Sequence, residues 1–253
     1  MSEVVVRQDG ALLEVVIDRP KKKNSITFAM YDELCAAFAK ARETPAIRVL
    51  LLSGAGDIFT AGNDLGDFLN VGTLDPATLP PMRFIQALLD LEKPLVVAVN
   101  GAAVGIGTTM LLHADLVYAS ETAKFSTPFV SLGLVPEAAS SILLPQRIGT
   151  AAATDMLLRG AVLDAARAAA VGLVNEVVPG DVVAFARDRA RELARKPPTA
   201  VRLTKALLRG HHEEVRARVH AEGVHFGAQL LSAEAREAFT AFMERRAPDF
   251  SKF

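Results

Sequence analysis

The fold of this chain is decided by Leu95–Ser120, LVVAVNGAAVGIGTTMLLHADLVYAS. After Pro94 comes an unbroken apolar run, Leu95-Val96-Val97-Ala98-Val99, too short for most helices and rich in β-branched residues. Such a run predicts a strand buried on both faces. Asn100-Gly101 breaks it, Gly105 and Gly107 follow, and Thr108 to His113 continues with helical composition. The pattern predicts a strand turning sharply into a helix whose first N–H groups lack intrahelical partners. Glycines there let a ligand approach the backbone closely, so the helix start is a candidate site for negative charge. Close packing alone would also explain the glycines. A dinucleotide site is disfavoured: Gly105-x-Gly107 opens a GxGxxG pattern, but Met110 stands at the third glycine and no acidic strand end follows at the expected spacing.

Working outward, Val4–Arg7 and Leu12–Ile17 predict two strands joined at Asp9-Gly10, and Thr27 a cap for a helix reaching about Arg42. Arg48–Ser53 reads as another buried strand, followed by the small-residue loop Phe59-Thr60-Ala61-Gly62-Asn63-Asp64-Leu65. Residues 70–80, with Gly72, Pro76 and Pro80, predict an irregular segment, and Met82–Leu91 a helix. Strands are expected at 116–119, 124–126 and 174–178, with short helices at 145–148, 151–158 and 165–170. From Asp181 onward the pattern is helical only. Alternation of strands and helices predicts an α/β core with right-handed crossovers over residues 1–196. Residues 197–253, after Pro197-Pro198, are expected to form an added helical lobe.

Composition narrows the function. A net charge of −1 gives no support for nucleic-acid binding. The absence of a basic-then-apolar leader or an 18-residue apolar run predicts a cytoplasmic protein without membrane contact. The terminal Ser251-Lys252-Phe253 resembles a peroxisomal SKL tail but ends in Phe. Cys35, the single cysteine, has no partner in the chain and reads as a core residue. Histidines 211, 212, 220 and 225 form no metal-spaced motif, so neither a metal nor a separate cofactor is expected. Ser140 and Ser141 lack the GxSxG surroundings of a nucleophile. A mean hydropathy of +0.27 suggests apolar surface buried between subunits.

Two loops share a feature. Ala61-Gly62-Asn63 and Val104-Gly105-Ile106 each follow a buried strand and place a glycine before a residue with a free N–H. Two such groups converging on one point would make an oxyanion hole. With Phe59-x-Ala61-Gly62-x-Asp64-Leu65, Lys93-Pro94 through Gly107, Ala114-Asp115-Leu116 and Gly172-Leu173-Val174, the chain resembles the crotonase, or enoyl-CoA hydratase/isomerase, superfamily over nearly all 253 residues. The resemblance implies a crotonase-like ββα spiral core with a C-terminal helical lobe that trimerises, giving a homo-trimer or dimer of trimers. It implies an acyl-CoA thioester substrate whose carbonyl oxygen is held by the N–H groups of Asn63 and Ile106. The CoA arm would run along Arg19 to Ile26, with Lys22, Lys23, Asn24 and Ile26, and along Ala61, Gly62, Asn63, Asp64 and Leu65. Gly105 and Ile106 would complete the oxyanion loop, and Phe129 and Leu134 an apolar setting around the acyl group. Asp64 is expected to brace the loop presenting Asn63, and His113 to serve packing or the helix dipole.

The carboxylates choose the reaction. Hydration needs one group to take a proton from water and another to deliver one to carbon. Hydratases of the family carry glutamates at positions that hold Thr109 and Phe129 here, and neither can act as acid or base. Glu137, in Val135-Pro136-Glu137-Ala138-Ala139-Ser140-Ser141, matches the base of the 3-enoyl-CoA to 2-enoyl-CoA isomerases, closest to the peroxisomal type. Taken by itself, Glu137 would also fit a solvated loop carboxylate capping the next helix. The expectation is an isomerase with Glu137 as base. A hydratase or other crotonase-type acyl-CoA enzyme, and a non-catalytic acyl-CoA binder, are the alternatives.

Overall fold

The computed structural model describes residues 2–69, 78–210 and 212–253. Most of the irregular segment expected at 70–80 lies outside these residues. The central apolar runs form a sheet in the order β1 (Val4–Asp9), β2 (Leu12–Ile17), β3 (Val49–Gly54), β4 (Leu95–Val99), β6 (Leu116–Ser120) and β9 (Glu176–Val178). The first pair is an antiparallel hairpin, and every later pairing is parallel. β3 and β4 are buried along their whole length, because helices cover both faces. Leu50, Leu52, Val97 and Val99 join one core with α1 (Phe28–Glu43) and α3 (Pro80–Leu89). The alternate residues Leu51, Val96 and Ala98 pack against α8 (Val182–Ala194), whose Ala186 and Ala190 permit a close approach. This is the period of two expected of a strand.

Where the sequence predicts a strand running directly into a helix after Asn100-Gly101, a further strand intervenes. β5 (Ala102–Val104) pairs with β7 (Lys124–Ser126), which pairs with β8 (Leu163–Asp164), making a second sheet beside the first. The following helix is shorter than its composition suggests: α4 spans Ile106–Thr109 and tightens into a 3-10 turn at Met110–His113. A short α2 (Leu65–Leu69) follows the first loop, and α3 begins at Pro80, using two prolines in its first turn where no intrahelical donor is needed. α5 (Ser140–Ile148) starts well before the expected 145, with Pro145 inside it. α6 (Thr150–Arg159) and α7 (Ala165–Ala170) fall near the expected 151–158 and 165–170.

The turn after β4 tolerates no added side chain. A Cβ on Gly101 would lie 1.9 Å from the Asp57 carbonyl oxygen, and the Asn100 amide bridges Gly54 N–H and Gly56 C=O at 3.2 and 2.7 Å. Gly101→Ala should lower stability by about 1–3 kcal/mol, seen as a lower urea midpoint with an unchanged slope.

The C-terminal helices α9 (Pro198–Leu208), α10 (His212–Leu230) and α11 (Ala233–Glu244) lie against the core. Phe226, Leu230 and Phe239 pack with Phe68, Phe129 and Leu134. Lys205 of α9, nearly buried, donates to Asp115 Oδ2 at 2.8 Å and to the Lys93 carbonyl at 2.6 Å, while Arg209 reaches Asp115 Oδ1 at 3.1 Å. Burial outweighs the attraction of Asp115 and brings the Lys205 pKa down to about 8.

Candidate active site

The two glycine loops meet through backbone pairing. Thr60 bridges Ala103 in parallel: Thr60 N–H donates to Ala102 C=O at 3.0 Å, and Val104 N–H to Thr60 C=O at 3.1 Å. Asn63 and Ile106 each stand three residues beyond this bridge. The hydrogen bonds among the described residues use the N–H groups of Gly62, Asp64 and Gly105, but not those of Asn63 or Ile106. The fit is close. Gly62 has φ +88°, and a Cβ there would meet the Val104 carbonyl oxygen at 2.7 Å; a Cβ on Gly107 would meet Thr60 Cγ2 at 2.5 Å. The Asn63 side chain is anchored as well, because the Tyr31 hydroxyl donates to its Oδ1.

The segment before α1 braces the same loop. Asn24, fully buried with φ +54°, donates to the carbonyls of Ala55 and Ile58 at 2.9 and 2.7 Å and accepts from Arg19 N–H at 2.9 Å. Asn tolerates this left-handed conformation better than most residues. Ile26 N–H donates to Gly62 C=O at 2.8 Å. Asp64 accepts from Arg19 at 2.5 Å, Ser25 Oγ at 3.1 Å and Gly66 N–H at 3.1 Å. Burial would raise the Asp64 pKa, but these hydrogen bonds outweigh it and hold the carboxyl below the usual range.

Glu137 is not a solvated loop carboxylate: it is 4% exposed. Its Oε1 accepts a hydrogen bond from the Thr109 hydroxyl, at the end of α4. It also faces Tyr31, whose own pKa is raised well above normal by burial and then by the Glu137 charge. Burial is the dominant influence on Glu137, the Thr109 hydrogen bond opposes it, and Glu222 on α10 adds like charge; the pKa rises to about 8. The two residues after Glu137 have left-handed backbones, Ala138 at φ +59° and Ala139 at φ +57°. A left-handed non-glycine residue costs about 1–2 kcal/mol. The Ala138 carbonyl lies 2.8 Å from His113 Nε2. Burial lowers the His113 pKa to about 4, so the ring is neutral near pH 7 and donates from Nε2 to that carbonyl.

A cavity of about 630 Å³ opens over the two loops. Of the residues expected to contact substrate, Lys22, Lys23, Ala61, Gly62, Asn63, Asp64, Leu65, Gly105, Ile106, Phe129 and Leu134 line it. Asn24 and Ile26 stand behind the wall and shape it through the bonds above, because both are fully buried among the loops. Glu137 likewise stands behind the wall, bonded to Thr109 and facing Tyr31, whose hydroxyl holds the Asn63 side chain of the wall. Sequence reasoning did not name the residues by which the C-terminal region completes the cavity: Phe226, Phe242 and Met243 from the helices and Arg246 just beyond α11. Phe239, Phe242 and Met243 stand at i, i+3 and i+4 on one face of α11, and an apolar stripe that runs on from the buried Phe239 to these two residues was the available signal.

The sequence profile of the enoyl-CoA hydratase/isomerase family matches residues 7–252. The chain belongs to that family. Enoyl-CoA delta isomerase 2 from Rattus norvegicus is 37% identical over 255 residues, an overlap of 96% of this chain and 64% of the relative. The chain thus spans less than two thirds of that relative's length. The 2,3-dehydroadipyl-CoA hydratase of Escherichia coli K12 is 31% identical over 255 residues, 99% of each chain. The solved structure of an enoyl-CoA hydratase/isomerase from Pseudoalteromonas atlantica T6c superimposes with a TM-score of 0.94 at 45% identity, covering 98% of this chain and 100% of that one. The spiral α/β architecture is therefore the crotonase fold. Because the enoyl-CoA hydratase/isomerase family includes relatives named for each reaction, the choice between the two rests on the carboxylates.

Proposed function

We propose that the chain is an isomerase that moves a double bond from position 3 to position 2 of an enoyl-CoA thioester. One observation carries the reading. Thr109 stands where hydratases of the family carry a glutamate, and its hydroxyl donates to Glu137. The second such position is the buried Phe129. Of the carboxyls near the oxyanion loops, Asp64 is tied to Arg19, Ser25 and Gly66 with its pKa held low, which leaves Glu137, with its raised pKa, to take a proton and return it. The thioester oxygen would sit between the N–H groups of Asn63 and Ile106. Lys22, Lys23 and Arg246 border the cavity and supply positive charge for the phosphates of CoA.

The C2 proton of a 3-enoyl thioester is acidified by the carbonyl and by the double bond. Glu137 exchanges its Thr109 hydrogen bond for that proton, and the resulting dienolate places charge on the thioester oxygen. The protonated carboxyl then returns the proton at C4 on the same face. CoA is part of the substrate, and the scheme needs no other cofactor and no metal. Trimeric assembly in the cytoplasm belongs to the same reading, supported by the exposed Leu207 and Leu208 on α9 and by the bacterial relatives.

The test compares formation of 2-hexenoyl-CoA from 3-hexenoyl-CoA with hydration of crotonyl-CoA. Isomerisation faster by at least about tenfold supports the reading. Dominant hydration replaces it with a hydratase, and binding without either reaction replaces it with an acyl-CoA binder. The pH dependence has a defined sign. The base must be ionised, and burial keeps it protonated up to about 8. The kcat/KM for isomerisation should therefore rise with pH through about 8 and level above it, rather than levelling near 4.5 as for an ordinary glutamate.

A further inference from the structure

The turn that carries Glu137 is closed by Ser140 N–H donating to the Glu137 carbonyl at 3.0 Å, but the helix it leads into has no side-chain cap of its own. Its two left-handed alanines lead into α5, whose capping position is Ala139, with no side chain able to accept from the first N–H groups. The acceptor comes from 81 residues away: Glu222 Oε1, on α10, accepts from Ser141 N–H at 2.9 Å. Burial raises the Glu222 pKa, and the nearby Ser141 and Ala139 N–H groups act against it. A negative group at a helix start is favoured by the helix dipole. Glu222 is 7% exposed, and among the described residues its Oε2 makes no hydrogen bond. That is an expensive place for a carboxyl if it served packing alone.

We propose that Glu222 is a positioning residue for Glu137, holding its turn through the N-terminal N–H groups of α5. The proposal rests on the reading of Glu137 as the base. The groups facing Glu137 are the Thr109 hydroxyl from α4, Tyr31 from α1 and Glu222 from α10. His113 holds the neighbouring carbonyl as a neutral ring; Arg147, Lys205 and Arg209 face His113 and act against its protonation. Glu222 is itself faced by Arg218, whose Nη1 lies 3.5 Å from Ser141 Oγ. Of these, Glu222 is the acid that pushes the Glu137 pKa upward by charge while its other oxygen restrains the turn.

Two substitutions separate the effects. Glu222→Gln keeps an oxygen that can accept from Ser141 N–H but removes the charge. The acid limb of kcat/KM should move to lower pH by about half a unit or more, with kcat above pH 9 within about threefold of the parent. Glu222→Ala removes the acceptor too, and kcat should fall about tenfold or more, with KM for the acyl-CoA unchanged. Both are measured on protein whose folded fraction is fixed by near-UV circular dichroism. An unmoved limb in Glu222→Gln together with parental kcat per folded molecule in Glu222→Ala overturns the proposal. Glu137→Gln is run alongside. If it keeps its activity, the reading of Glu137 as base fails; if it is inactive while both Glu222 variants behave as the parent, only the positioning role fails.

Discussion

Glu137→Gln should lower kcat for 3-enoyl-CoA isomerisation by about 10²–10⁴-fold, the range expected when a positioned base is removed, while acyl-CoA affinity stays within about twofold. The substitution is isosteric. Its amide oxygen can still accept from the Thr109 hydroxyl, so the geometry around α4 is kept and only the proton acceptor is lost. The same change should stabilise the fold, which separates a catalytic role from a structural one. The folded-state pKa of about 8 lies above the ordinary 4.5, so the parent loses stability as pH climbs from about 4.5 to 8. At about 1.36 kcal/mol per unit, the Gln variant should gain on the order of 3–5 kcal/mol by pH 8 and no more above it. Thermal melts at pH 5, 7 and 9 measure this. Substantial remaining activity, or a variant less stable than the parent at pH 9, would refute the assignment.

The second large effect is expected at Gly62. With φ +88° and a Cβ position 2.7 Å from the Val104 carbonyl, Gly62→Ala must either displace that carbonyl or rotate the Asn63 peptide. Each route separates the two N–H donors, because the loops are paired at Thr60 and Ala103 just before them. Loss of one oxyanion donor costs about 10²–10³ in kcat. Gly149→Ala is the control. Its φ is +81°, yet nothing lies within 4 Å of its Cβ, and it is not part of the cavity wall. It should cost stability and leave kcat alone. A Gly62→Ala enzyme with kcat within threefold of the parent would remove the oxyanion role from this loop.

Much of the site was legible before folding. Gly62 and Gly105 marked the two loops that follow buried strands, with Asn63 and Ile106 placed alike, and the structure gives both glycines positive φ. The absence of acidic residues at 109 and 129 could be read directly. What escaped was short or remote. β5 has three residues, too few to show a period, so the strand after Asn100 looked like the approach to a helix. The prolines at 80 and 81 read as irregular segment because the same residue opens helices and interrupts them. Phe242, Met243 and Arg246 lie more than 100 residues from Glu137 in the chain, and periodicity assigns a residue to a face without saying what covers it.

The sequence by itself determined the buried strands and the two glycine loops, because these depend on apolar patterning and backbone freedom, both of them local, while Glu137 was singled out only by the resemblance to the family. Only the tertiary structure decided that Glu137 is buried, that Thr109 donates to it, and that Glu222 of α10 accepts from Ser141 N–H just beyond its turn. Proton affinity follows from desolvation and neighbouring charge. Both are properties of what surrounds a side chain in space, and the groups that surround Glu137 come from α1, α4 and α10, which are distant in sequence and meet only when the chain has folded.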